Sequence, residues 1–384
     1  MVMHFNFITE SKKILIISPS FFPSVYGGIS VALYHLVFEL SKHFSCSIIT
    51  TNFKIQKSEK ILLNKWFYKE NYRIVYTNFK YSLYFFQIVI FFLKSVKKND
   101  IIYLNSFFFA PNLILVFLAH LYNKRVIWST HGELSEPALK IGYYKKKCFL
   151  FFYNLFFFKN ITYLATSYIE ENQIRMRLKS NNIVVIPHFF TLTNLNNIKK
   201  KNQFIFLGRL SPIKKIENLI ISFSNLLNLN GYFNDYKLLI VGAYNSKDVK
   251  YYNLLMYLVK SKNLENHIIF LPEVKSPEKE LLLAECKFLF LISDSENFGN
   301  VVVESLNQGT PVVASFGTPW EILIETNSGF WMDNKIESIQ DTIIKITNLS
   351  DNQYSIMSNN SKLLAKQFSV ENKLQNWFTL LNKE

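Results

Sequence analysis

Lys12-Lys-Ile-Leu-Ile-Ile-Ser18, a loop carrying Pro19, Pro23 and Gly27-Gly28, then Ser30 to His43, then Ser45-Cys-Ser-Ile-Ile-Thr50: this opening run decides the fold. The first segment is a short apolar run ended by Ser18-Pro19, which predicts a buried strand. The third has apolar residues at Val31, Leu33, Leu36, Val37 and Leu40, the spacing of an amphipathic helix. The fourth predicts a second strand. Strand, glycine loop, helix, strand is a βαβ unit, and such units build parallel sheets with right-handed crossovers. Further buried strands are predicted at 101–105, 125–130, 162–165 and 183–186.

The same grammar restarts in the second half. Gln203 to Leu207 predicts a strand ending in Gly208, Leu219 to Leu229 a helix, Tyr236 to Val241 a strand ending in Gly242, and Tyr251 to Lys262 a helix. Ile268 to Leu271, Phe288 to Ile292 and Pro311 to Ala314 predict strands with helices between them. Between the halves, residues 188–202 are rich in Asn, Thr and Lys and read as a break. The expected organisation is a Rossmann-like domain over 1–190, a linker over 191–202, a second Rossmann-like domain over 203–368, and a last helix over 369–384. The fold class is therefore α/β, two Rossmann-like domains facing each other across a cleft.

The chain has 384 residues, 49% hydrophobic and 18% charged, which excludes a disordered protein. Cys46, Cys148 and Cys286 are far apart and lack metal-ligand spacing, so a reduced, cytoplasmic protein with neither disulfide framework nor structural zinc is expected. The apolar run at Ile14–Ile17 is too short for a secretory segment. Charge is uneven: residues 1–190 carry 23 Lys/Arg against 9 Asp/Glu, a net +14, and residues 191–384 carry 20 against 19, a net +1. A one-sided basic field suits an acidic partner such as an anionic membrane surface or a phosphorylated substrate, or it is a solvated face. No nucleic-acid-binding module is recognisable, so no nucleic-acid partner is expected.

Three apolar stretches resemble membrane spans: Leu83–Leu93, Phe107–Tyr122 and Cys148–Phe158. Each is shorter than the ~20 apolar residues a span needs. Buried core is the expected reading for each. The third, behind Lys145-Lys-Lys147 and rich in aromatic residues, also fits an interfacial membrane helix.

Four groups of residues suit chemistry. Gly27-Gly28, between the first strand and helix, fits an anion site at a helix N-terminus, or simply a tight turn. Gly208-Arg209-Leu-Ser-Pro-Ile-Lys214-Lys215 follows a strand, where ligands bind in open α/β sheets, and Arg209 and Lys214 suit a leaving diphosphate. Glu296-Asn-Phe298-Gly299-Asn300-Val301-Val-Val-Glu304 sets two carboxylates around a helix start, an arrangement for sugar hydroxyls and phosphate oxygens. His131, in Ser129-Thr-His-Gly132 after a strand, fits a polar loop residue or a group that hydrogen-bonds a sugar during transfer. Nothing beside Asp294 and Glu296 supplies further metal ligands, so no metal is expected.

Together these motifs resemble the retaining glycosyltransferases of family 4, which have the GT-B fold. The resemblance runs from Ile14 to about Ile324 and is strongest in the Glu296-x7-Glu304 signature and Gly309-Thr-Pro311-Val-Val-Ala-Ser315 after it. It implies that Glu304 holds the nucleotide ribose, that Glu296 and the amides from Phe298 to Val301 hold the donor sugar, that Arg209 and Lys214 neutralise the diphosphate, and that His131 and Gly28 contact the donor from the other domain. It further implies a nucleotide-diphosphate-sugar donor, a glycan or lipid-linked acceptor, bacterial capsule, O-antigen or lipopolysaccharide synthesis, and no cofactor. A sugar-nucleotide epimerase and a non-catalytic sugar-nucleotide-binding scaffold remain alternatives. The sequence departs from the family's pattern where Pro187 is followed by His188-Phe-Phe190, and at Gly317-Thr-Pro319-Trp320-Glu321.

Overall fold

The computed structural model describes residues 12–24, 27–56, 59–80, 83–155, 160–193, 195, 198–229 and 235–383. Runs such as Ile14–Ile17 and Leu238–Val241 are buried along their length, because helices cover both faces of a parallel sheet. The chain divides into two units, the first taking it up to Phe189 and again from Lys373, the second from Phe190 to Asn372.

The first unit runs β1 (Lys13–Ile17), α1 (Gly27–Leu40), β2 (Ser45–Thr51), β3 (Phe67–Lys69), β4 (Tyr72–Thr77), α2 (Leu83–Ser95), β5 (Ile101–Asn105), α3 (Pro111–Leu121), β6 (Arg125–Ser129), α4 (Glu136–Lys140), α5 (Tyr143–Leu155), β7 (Ile161–Ala165), α6 (Tyr168–Leu178) and β8 (Ile183–Val185). Its sheet order is β3-β4-β2-β1-β5-β6-β7-β8, parallel except for the β3–β4 pair. The order reverses direction between β1 and β5, which leaves a crevice outside their carboxyl ends. Helix α1 starts at Gly27, earlier than the predicted Ser30, so the glycine pair opens the helix instead of preceding it. Gly27 has φ of 67°, a conformation without steric cost only for glycine.

The second unit runs β9 (Gln203–Leu207), α7 (Ile216–Leu229), β10 (Lys237–Val241), α8 (Val249–Ser261), β11 (Ile268–Leu271), α9 (Glu278–Glu285), β12 (Phe288–Leu291), α10 (Asn300–Asn307), β13 (Val312–Ser315), α11 (Ile322–Glu325), β14 (Gly329–Met332), α12 (Ile336–Thr347) and α13 (Asp351–Lys366). All six strands are parallel, in the order β11-β10-β9-β12-β13-β14. This is the doubly wound order of a dinucleotide-binding sheet, with its switch point between β9 and β12. The fold is α/β with two Rossmann-like domains, as expected.

The described residues between 191 and 202 are held along the second unit: Leu195 N–H donates to Gln308 Oε1 (2.9 Å), Lys201 N–H to the Glu285 carbonyl (2.7 Å) and Lys200 Nζ to the Cys286 carbonyl (3.0 Å). The last helix, α14 (Val370–Asn382), packs from Lys373 onward with the first unit. There Trp377 meets Tyr103 edge-on at 6.0 Å, and Arg125 Nη2 donates to the Leu380 carbonyl at 2.6 Å.

The apolar stretches expected as core become α2, α3 and α5, and the third departs from that expectation. In α5 only Tyr153 is buried. Phe149, Leu150 and Tyr153 turn to the sheet, while Phe151, Phe152 and Leu155 face solvent. Residues 156–158 lie outside the described residues. Among the described residues no helix is long and apolar enough to cross a membrane.

Candidate active site

At the switch point of the second unit, the carboxyl end of β9 carries Arg209 and Lys214, and that of β12 carries Glu296 and the start of α10. The β9 loop turns through a short 3-10 helix, Pro212–Lys214, and Asp294 N–H donates to the Ile213 carbonyl at 2.8 Å, so the two loops are tied together by backbone. This brings Lys214 Nζ to 2.5 Å from Glu296 Oε2, with both side chains largely shielded. A charge-assisted contact of that kind holds both groups in one geometry. Arg209 is exposed on the same loop.

Gly299 precedes α10 with φ of 82°. A Cβ there would meet Leu291 Cδ2 at 2.8 Å and Glu296 Cγ at 3.3 Å, so only glycine fits. Phe298 is buried, and its carbonyl accepts from Trp320 Nε1 at 2.5 Å. Trp320, where the sequence departs from the family's pattern, thus buttresses the loop from below. Val301 lies in the first turn of α10, beside the positive end of the helix dipole, which favours an anion. Glu304 follows one turn later and receives Lys279 Nζ of α9 at 2.8 Å. Lys279 has no motif and was not found in the sequence.

The first unit builds a different kind of site. His131 follows β6 with φ of 49°. Its ring Nε2 lies 2.5 Å from Asn105 Oδ1, at the carboxyl end of β5. Asn105 Nδ2 in turn donates to Ser18 Oγ at 3.0 Å, at the end of β1, and Ser18 Oγ–H donates to the Ser20 carbonyl at 2.6 Å. With the Asn105 amide oriented by Ser18, its oxygen accepts, so His131 Nε2 carries the proton. His131 Nδ1 is then the acceptor, and it is buried without a partner among the described residues. Burial, with the nearby His188, holds the His131 pKa down at about 3, so the ring is neutral near pH 7. The His188 ring lies 6.0 Å away. A small cavity beside the pair is lined by Tyr103, Ile186, Pro187 and Trp377.

A buried carboxylate shapes this loop. Glu170, buried at the start of α6, accepts from Gly132 N–H (2.6 Å) and Thr130 Oγ1 (2.6 Å) through one oxygen. Its other oxygen accepts from Thr166 N–H (2.7 Å) and Thr166 Oγ1 (2.8 Å). Four accepted hydrogen bonds offset its burial and fix the loops after β6 and β7. Asn105, Glu170 and His188 escaped the sequence reading because no spacing connects them to His131. Gly27 and Gly28 begin α1 at the end of β1, and the space around a Gly27 Cβ is open.

Residues 191–364, which lie within the second unit, match the family model described as glycosyl transferases group 1. The fold of the chain is the GT-B fold. The chain is 24% identical over 235 residues to an alpha-1,3/1,6-mannosyltransferase, ALG2, of Dictyostelium discoideum, covering 59% of this chain and 56% of that one. It is 34% identical over 122 residues to an N-acetylgalactosaminyltransferase of Campylobacter jejuni that acts on N-acetylgalactosamine-N,N'-diacetylbacillosaminyl-diphospho-undecaprenol, covering 32% and 30% respectively. The chain spans little more than half the length of curated relatives such as ALG2. Among solved structures it superimposes on Anabaena HepE in complex with UDP-glucose with a TM-score of 0.75, at 19% identity over 97% of this chain and 100% of that one.

Proposed function

We propose that this protein is a retaining glycosyltransferase that moves a sugar from a nucleotide-diphosphate sugar to a glycan or lipid-linked acceptor in bacterial surface-polysaccharide synthesis, at the cytoplasmic face of the membrane. The observation that carries the reading is the convergence, at the switch point of the second unit, of Lys214, Glu296, the glycine-led start of α10 and Glu304. Cation, helix dipole and two carboxylates meet the needs of a diphosphate flanked by ribose and sugar hydroxyls. The matched family model and the transferase relatives support the same class.

In the proposed reaction Glu304 accepts from the ribose hydroxyls, and Glu296 with the Phe298–Val301 segment holds the donor sugar. The bond from the anomeric carbon to the diphosphate oxygen breaks, and Lys214 and Arg209 neutralise the charge that develops on the leaving group. The acceptor hydroxyl bonds to the same carbon from the same face, and its proton passes to a leaving phosphate oxygen. His131 stays neutral and offers Nδ1 to a sugar hydroxyl. No metal is required in this scheme.

The test is calorimetric titration with a panel of nucleotide-diphosphate sugars, with and without EDTA. The expected result is one donor that binds without metal and loses at least about tenfold in affinity in Glu304→Ala, the scale of a charged hydrogen bond. Folded protein that binds no nucleotide-sugar overturns the reading. Donor binding without transfer to any acceptor assigns a scaffold, and donor conversion without acceptor assigns an epimerase.

A further inference from the structure

Three adjacent helices of the first unit turn apolar stripes outward. In α5, Tyr144, Phe151, Phe152 and Leu155 fall on one face at i, i+7, i+8 and i+11, opposite the inward Phe149 and Tyr153. Tyr144 is 84% exposed and Phe151 64%. In α2, Phe86, Ile90 and Leu93 repeat the pattern, with Phe86 66% exposed, while Ile88 and Phe92 enter the core. Between them α3, which packs on both, exposes Ile114 and Leu121. Scattered apolar residues on a surface need no explanation, but stripes on three neighbouring helices form a contiguous patch that marks an interaction face.

The charges around the patch are predominantly positive. Lys145 and Lys147 flank the α5 stripe on either side, and Lys94, Lys97 and Lys98 close the end of α2. Lys97 Nζ lies over the Tyr122 ring, 5.7 Å from its centroid, and Lys147 Nζ over the Tyr143 ring at 5.7 Å, so cation and aromatic surface adjoin at the rim. Over residues 83–155 there are 9 Lys/Arg against 3 Asp/Glu, and one of the three, Glu133, is turned inward to the Phe107 and Phe108 amides. An apolar centre with a cationic rim complements an anionic bilayer: rings enter the headgroup boundary and lysines meet lipid phosphates. A second copy of the same face would set lysine against lysine.

We infer that the face formed by α2, α3 and α5 is the surface on which this protein docks to an anionic lipid bilayer, lying in the interface without crossing it. This deepens the membrane-side reading of the proposed function by naming its surface, and it stands or falls separately from sugar transfer. The experiment is co-sedimentation of the full chain with vesicles of phosphatidylcholine alone and with vesicles containing about a third phosphatidylglycerol. Wild type is expected to pellet with the anionic vesicles and to be released by added salt. The double variant Phe86→Ser, Phe151→Ser should lose about tenfold or more in partitioning, as should Lys145→Glu, Lys147→Glu, since each group contributes on the scale of a severalfold change. Both pairs are exposed, and an unchanged thermal transition with unchanged nucleotide-sugar binding in vesicle-free buffer separates lost docking from lost folding or a failed donor site. Wild type that stays in the supernatant with anionic vesicles, or variants that bind as wild type does, overturns the inference. So does a wild-type dimer in sedimentation velocity that the serine variant converts to monomer without any vesicle binding, which assigns the face to a second copy.

Discussion

In the second unit the side chains at the switch point are held by ion pairs, Lys214 with Glu296 and Lys279 with Glu304. At the corresponding point of the first unit, His131 is held by a chain of neutral groups, Ser18 to Asn105 to the ring. Six strands of the first sheet, β4-β2-β1-β5-β6-β7, follow the order of the second, yet one crevice presents opposed full charges and the other a buried, uncharged acceptor. The difference matches the division of labour proposed for transfer. Charge develops on the departing diphosphate, where preorganised cations act most strongly, whereas a sugar hydroxyl needs direction more than charge. It also separates what salt disturbs from what pH disturbs.

The hardest blow to this contrast falls on Lys214. Lys214→Ala should lower kcat by about 100-fold or more, the scale of one preorganised electrostatic contact to a leaving group, while leaving the fold intact. Steady-state kinetics beside a thermal melt reads it. A loss confined to KM would mean that Lys214 only binds, and the contrast would weaken.

A smaller effect sharpens the other side. Asn105→Leu removes the acceptor that sets the His131 tautomer, and kcat is expected to fall about tenfold or more, within the range for a positioned proton-handling group. Nucleotide affinity should stay at the wild-type value, because the residues proposed to hold the ribose and to neutralise the diphosphate, Glu304, Arg209 and Lys214, lie in the second unit. A parallel collapse of donor affinity would sink the separation of roles. Asn105→Asp supplies a carboxylate beside the ring, which should raise the His131 pKa and introduce an acid limb that the wild-type pH–rate profile lacks.

Stability should carry the mark of the neutral histidine as well. Its folded pKa lies near 3, below the 6.5 of the unfolded chain. The unfolded state therefore binds the proton first as pH falls, and the contribution present above pH 6.5 is lost progressively toward pH 3. His131→Gln, which does not titrate, should flatten part of that decline in urea unfolding measured at several pH values. A decline of unchanged slope would show that the ring is protonated in the native protein.

The two glycines at the helix starts give the mildest comparison. Gly299→Ala must shift Leu291 as well as strain the backbone, and is expected to cost about 2–3 kcal/mol. Gly27→Ala has open space around the new methyl and should cost only about 1 kcal/mol, from its positive φ alone. Denaturant midpoints of the two variants decide the order.

Much of the second unit was legible because its chemistry is local. Glu296, Gly299 and Glu304 lie within one loop and helix, so their spacing is their geometry. The first unit gave less away. His131 depends on Asn105 and Ser18, each at the end of a different strand, and on His188, which follows a fourth. Strands β3, β4 and β14 were missed because short segments such as Phe67–Lys69 and Gly329–Met332 show no clear period. The exposure of α5 was hidden for a related reason: an aromatic run has the same composition whether it turns toward a sheet or toward lipid.

By itself, then, the sequence determined the central strands of both sheets, the doubling of the βα pattern, the carboxylate pair around α10 and the basic excess of the first half. These follow from periodicity, glycine and charge, which act between near neighbours in the chain. Only the tertiary structure decided that Lys214 meets Glu296, that Trp320 supports Phe298, that His131 is neutral with Nδ1 as its acceptor, and that three apolar stripes share one outer face. Each of these depends on which strand ends a sheet brings side by side and on which side of a helix is left uncovered, and side chains distant in sequence become neighbours only once the sheet has ordered its strands.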